Sequence, residues 1–185
     1  AVALVPVAGR CRLWGRGGLL VARPEASVRG VWGLLGCLLV AACALPMADP
    51  QSDAAGKRFE TPPAGLGALY IYRTSDSPLD RTSRFRVMLV NDKGDTRKLG
   101  ILDDDTWFLL NLPPGNYTVR CEGGDAGHSS NAPVTVAGGG QVLAQIRAFP
   151  GRWVPNCAAS SKRDVEGRAG VARGKRVQEL PPGAQ

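Results

Sequence analysis

Arg84-Phe-Arg-Val-Met-Leu-Val-Asn-Asp-Lys-Gly-Asp95 sets the reading of the whole chain. Phe85, Val87 and Leu89 alternate with Arg86, Met88 and Val90, the period of a strand with one buried face, and Asn91 to Asp95 supplies a turn. The rhythm extends in both directions. Ala68-Leu-Tyr-Ile-Tyr-Arg73 is a β-branched and aromatic run after Pro and Gly, and residues 99–102, 106–110, 116–122, 133–136 and 141–149 read as further strands. Asp103-Asp104-Asp105, Pro113-Pro114-Gly115, Gly123-Gly124-Asp125 and Gly138-Gly139-Gly140 separate them. This spacing predicts an all-β domain over residues 59–150, an antiparallel β-sandwich of about seven to eight strands. Alternation assigns Phe85, Val87, Leu89, Tyr117, Val119, Cys121, Val142, Ala144 and Ile146 to its core.

Composition agrees with strands. The 185 residues include 24 Gly and 14 Pro, which oppose helix interiors and exclude a long bundle or coiled coil. The single His, His128, lies in Gly127-His128-Ser129-Ser130, which removes most His-based triads and His-rich metal sites. A net charge of +7 suggests a nucleic-acid binder only until the charges are placed. Residues 1–42 hold five Arg against one Glu, and residues 44–149 hold eleven basic against twelve acidic side chains. The excess sits at the two ends, so no nucleic-acid partner is expected.

The N-terminal part reads as targeting. Val31-Trp-Gly-Leu-Leu-Gly-Cys-Leu-Leu-Val-Ala-Ala42 is an uncharged run of twelve residues just after Arg29. It is shorter than the roughly 20 residues that cross a bilayer, but long enough for the apolar region of a signal peptide. Leu39-Val40-Ala41-Ala42-Cys43 resembles the bacterial lipobox, in which small residues let a peptidase close on the backbone and the Cys receives diacylglycerol. The resemblance implies a signal peptide over residues 28–42, lipid attachment at Cys43, and a membrane-anchored protein facing the periplasm. Cys37 carries a weaker version of the pattern. Residues 1–27, with Pro6, Pro24 and Glu25, do not fit a signal and are read as a mis-annotated or disordered extension, with translation opening at Val28. Ala44 in place of Asp after the modified Cys implies, by the enterobacterial sorting rule, the outer membrane. Residues 43–58, small and polar with two prolines, read as a linker.

The lipobox, Ala68-Leu-Tyr-Ile-Tyr-Arg73, a Val-rich second strand ending in a Gly turn, a Leu-Gly segment and the Pro-Gly-Asn-Tyr turn together resemble a family of small bacterial envelope lipoproteins, domain-of-unknown-function family 2846. The resemblance covers residues 58–150 and implies no activity. Thr106-Trp-Phe-Leu-Leu-Asn-Leu-Pro-Pro-Gly-Asn-Tyr-Thr-Val119 also resembles the turn of transthyretin-like and carboxypeptidase-regulatory-like sandwiches, a cue to fold alone.

Chemistry-bearing residues are few. Asp103-Asp104-Asp105, with Asn91, Asp92 and Asp95, offers oxygen atoms but lacks the ligand spacing of a known Ca²⁺ loop and reads as solvated turns. Arg73, Arg84 and Arg86 read as the charged outer face of a strand. No nucleophile has a plausible base and no Gly-rich loop joins a strand to a helix, so neither a catalytic site nor a cofactor is expected. The reading favours a non-catalytic module that binds an envelope protein or peptidoglycan; the alternative is a cell-wall hydrolase using Asp103, Asp105 and Glu122. After processing, Cys121 and Cys157 remain. They form a pair suited to an oxidising compartment, and a bridge would close a loop of roughly 35 residues. Cys121 equally fits a buried small hydrophobe. Residues 151–185, with seven basic against three acidic side chains from Arg152 onward, read as a basic flexible tail, since Gly167, Gly170 and Gly174 oppose a helix over 165–177.

Overall fold

The computed structural model describes residues 45–75, 81–123, 130–181 and 183. The apolar run, Cys43 and His128 lie outside them. Among the described residues nine strands form two facing sheets: β1 (Gly67–Arg73), β2 (Phe85–Asn91), β3 (Thr96–Leu102), β4 (Thr106–Leu112), β5 (Gly115–Glu122), β6 (Asn131–Val136), β7 (Gln141–Phe149), β8 (Asn156–Lys162) and the two-residue β9 (Lys175–Arg176). One sheet has the order β8-β7-β1-β4-β9, the other β3-β2-β5-β6. The protein is therefore an all-β sandwich. Pairings are antiparallel except β1 with β7 and β4 with β9, which are parallel. Among the described residues, no helix is long and apolar enough to cross a membrane.

All nine positions expected in the core line it. Phe85, Val87, Leu89, Val119, Cys121, Ala144 and Ile146 are buried between the sheets, and Tyr117 and Val142 pack against them partly buried. The Tyr117 hydroxyl donates to the Pro113 carbonyl at 2.9 Å, stitching β5 to the Pro113-Pro114 turn that precedes it.

β1 departs from the one-sided pattern because it is buried throughout. Leu69 and Ile71 face the inter-sheet core, whereas Ala68, Tyr70 and Tyr72 join Trp107, Leu143 and Val171 in a second cluster on the outer face. Two helices flank this outer layer, α1 (Pro50–Lys57) and α2 (Asp164–Arg173). Both lie in segments that the sequence reading left without structure, and both expectations are corrected.

Within the stretch read as a linker, α1 is capped by Asp49, whose carboxylate accepts the Gln51 and Ser52 backbone N–H groups at 3.0 Å, and continues with Pro50 at the first helical position. This is a helix start written in linker-like residues. Gly56 lies so close to the Trp107 ring that a Cβ would overlap it, and the Tyr70 hydroxyl donates to the Gly56 carbonyl at 3.2 Å. Burial pushes the Tyr70 phenol up from its ordinary value, against the pull of Arg168 and Arg176.

The stretch read as a flexible tail supplies β8, α2 and β9. The glycines that argued against a helix are what let it dock: a Cβ on Gly170 would overlap the Tyr72 ring, and one on Gly167 would stand 2.7 Å from Leu143. Beyond α2 the chain lies along β4, where the Val177 N–H donates to the Trp107 carbonyl at 2.8 Å. It then crosses to the other sheet, where the Leu180 N–H donates to the Leu99 carbonyl at 2.8 Å. This strap joins the β4 side of one sheet to the β3 edge of the other. On the opposite side the sheets are joined covalently. Cys121 of β5 and Cys157 of β8 form a disulfide, with Cα atoms 6.1 Å apart.

Candidate functional site

The carboxylates singled out in the sequence fall in three places: Asp92 and Asp95 in the turn from β2 to β3, where the Asn91 amide donates to the Asp95 carboxylate at 2.9 Å, Asp103 to Asp105 in the turn from β3 to β4, and Glu122 at the end of β5. In the second of these turns the Asp103 and Asp104 side chains are engaged locally. Asp103 pairs with Arg84 at 2.9 Å. Asp104 accepts the Ser75 and Asp105 backbone N–H groups at 2.8 and 3.0 Å. Arg81 stands 3.8 Å and Arg73 4.0 Å from its two oxygens. Asp105 holds a left-handed backbone (φ 48°), and its carbonyl accepts the Lys175 N–H at 2.9 Å, which ties the turn to β9.

Arg73 does not share a solvated face with Arg84 and Arg86. It is 1 % exposed and points between the sheets, its guanidinium 5.2 Å from the centre of the Phe85 ring. The cause is the position of β1 at the middle of a sheet covered on both faces, so even its last residue is enclosed. Arg86 is the one of the three that keeps an outer-face position, opposite Glu122 in the β2–β5 register. Glu122 is exposed there, on the wall of a groove of about 480 Å³ with Arg86, Met88, Lys98 and Ile101. Met88 is only 7 % exposed although it faces outward, and its direct neighbours Lys98 and Arg120 carry the long stems that can cover such a side chain. Asp103 follows β3 and Glu122 ends β5, and these strands lie on either side of β2, about two strand spacings or 10 Å apart. Among the described residues no three of His, Cys, Asp and Glu gather as a metal-ligand set.

A larger site went unrecognised in the sequence because its walls come from three distant segments. Residues 46–48 form an arm that pairs antiparallel with the strap. The Ala48 N–H donates to the Arg176 carbonyl at 2.9 Å, the Gln178 N–H donates to the Pro46 carbonyl at 2.7 Å, and Met47 bridges Val177. Between this arm, the strap and β3 lies a cleft of about 810 Å³ lined by Met47, Asp49, Ser52, Arg97, Arg176 and Glu179, among others. Its charges are largely satisfied within the protein. Arg97 pairs with Glu179 at 2.7 Å, and the Arg176 guanidinium stands 5.8 Å from the Trp107 ring. The Ser52 hydroxyl and backbone N–H hold the Asp49 carboxyl below its ordinary value. The Asp49-Pro50 pair was the one local signal pointing here.

A smaller polar cavity of about 120 Å³, room for a few waters, lies between α2 and the end of β1. There the Gln145 amide donates to the Thr74 hydroxyl at 3.1 Å. Comparison of the chain with protein-family models, curated proteins and solved structures finds no match.

Proposed function

We propose that the protein is a lipid-anchored module of the bacterial cell envelope, held through Cys43 on the periplasm-facing side of the outer membrane, and that it binds a partner or serves as structure there without catalysing a reaction. The observation that carries this reading is Leu39-Val40-Ala41-Ala42-Cys43 at the end of a twelve-residue apolar run. The layout that resembles the envelope-lipoprotein family 2846 accords with it. The Cys121–Cys157 bridge supports it independently, because such bonds persist in oxidising compartments such as the bacterial periplasm. Candidate partners are an envelope protein or peptidoglycan.

The hydrolase alternative gains no specific support. Asp103 is engaged by Arg84, and Glu122 lies across β2 from it beside Arg86. Metabolic labelling with a palmitate analogue tests the anchor. The wild-type chain should incorporate label and Cys43→Ala should not; label retained by the variant would refute the reading.

A further inference from the structure

The arm that precedes α1 fixes how far the domain stands from its anchor. Pro46 is already hydrogen-bonded to Gln178, and Met47 is bridged to Val177. Only Ala44 and Leu45 separate Cys43 from Pro46, and three residue steps span at most about 11 Å even when fully extended. An acylated Cys sits at the glycerol level, beneath a headgroup layer about 5 to 8 Å thick on each side of the hydrocarbon. The remaining reach is too short for a free tether.

The surface at this edge is suited to contact without charge attraction. Pro46, Met47, Gln178 and Pro181 are exposed and carry no charge, and Met47 is 42 % exposed. The ionised groups around the adjoining cleft are two acids, Asp49 and Glu179, and two bases, Arg97 and Arg176, which balance.

Resting on the lipid anchor proposed above, we infer that the edge formed by residues 45–47 and 178–181 is a membrane-docking surface that lies on the headgroups of a bilayer, with no requirement for anionic lipid. The domain is then seated on the membrane by its arm and strap, with α1 and the 810 Å³ cleft beside the lipid surface.

The experiment uses the full chain, matured in bacteria and reconstituted into vesicles carrying a nitroxide quencher on the lipid headgroup. One set is phosphatidylcholine alone and the other contains phosphatidylglycerol. Met47→Trp and Gln178→Trp place reporters on the edge, in a Trp153→Phe background. Native Trp153 serves as the distant control: it is 80 % exposed, follows β7, and lies four strand spacings from the arm, about 19 Å across the sheet. Mass spectrometry of the same sample records whether Cys43 is acylated. Acylated protein should show both edge reporters quenched several-fold more than Trp153, equally in the two lipid mixtures. Edge reporters quenched no more than Trp153 in acylated protein would overturn the docking surface alone. Quenching only with phosphatidylglycerol would overturn its neutral character, and an unacylated N-terminus would overturn the anchor and the inference together.

Discussion

Reduction of the Cys121–Cys157 bridge should lower the thermal midpoint by about 10 to 15 °C, a value that follows from the loop it closes. The two residues are 36 positions apart in sequence. In the chain-entropy account, releasing a loop of that length returns about 13 cal/mol/K to the unfolded state, or about 4 kcal/mol at 25 °C. That is a large part of the roughly 5 to 15 kcal/mol that holds a typical domain together. For a chain of this size each kcal/mol moves the midpoint by about 2 to 4 °C, slightly more toward smaller domains.

The clean comparison keeps every side chain. One sample is unfolded and refolded with its thiols oxidised, the other with them reduced throughout, and both are melted while circular dichroism follows the strand signal. Both sulfur-bearing residues are fully buried, so reductant added to the folded protein alone would act only through opened molecules. Midpoints within about 2 °C of one another would refute the entropic argument, because that difference is worth less than about 1 kcal/mol.

Gly170→Ala distinguishes a docked α2 from a merely helical one by the sign of its effect. Intrinsic propensity alone would make the substitution stabilising by about 1 kcal/mol. Overlap with the Tyr72 ring should instead make it destabilising by about 1 to 3 kcal/mol, read from the denaturant midpoint. A stabilised variant would mean that the helix does not rest on Tyr72. The Asp49 cap predicts an acid-side effect. Its folded value lies below the ordinary carboxylate value of about 3.9, so its contribution is present above that pH and is lost as pH falls through the lower folded value. Asp49→Asn keeps a capping side chain without the titration, so its midpoint should fall less steeply than that of the wild type as pH drops below the ordinary carboxylate value. Parallel curves would contradict this.

Most of the sandwich was legible because its strands obey the simplest rule available. Phe85, Val87 and Leu89 alternate because β2 has one face in the core and one toward solvent, and wherever that condition holds the sequence announces it. β1 obeys a different condition. Its outer residues Tyr70 and Tyr72 are covered by elements that the sequence disguises: a helix whose cap and proline resemble linker, and another whose glycines resemble disorder. The burial of Arg73 was illegible for the same reason, since nothing local to Tyr-Ile-Tyr-Arg says that the strand will be central. The Cys121–Cys157 pairing could be narrowed to a candidate by counting, but the approach of β5 to β8 comes from topology. Apart from the Asp49-Pro50 signal the cleft was hidden, because Met47, Arg97 and Glu179 meet only after the whole chain has closed.

That closure bears on the order in which the molecule can be made. β1 is among the first strands to emerge in synthesis, yet its parallel neighbour β7 and the helix over Tyr72 come from the second half of the chain, and Met47 waits for Val177 near its end. Until those late residues arrive, an emerging chain has no partner for one edge of β1 and no helix over Tyr72. The packing around β1 is therefore complete only once nearly the whole chain has been made, when the last segments reach the first.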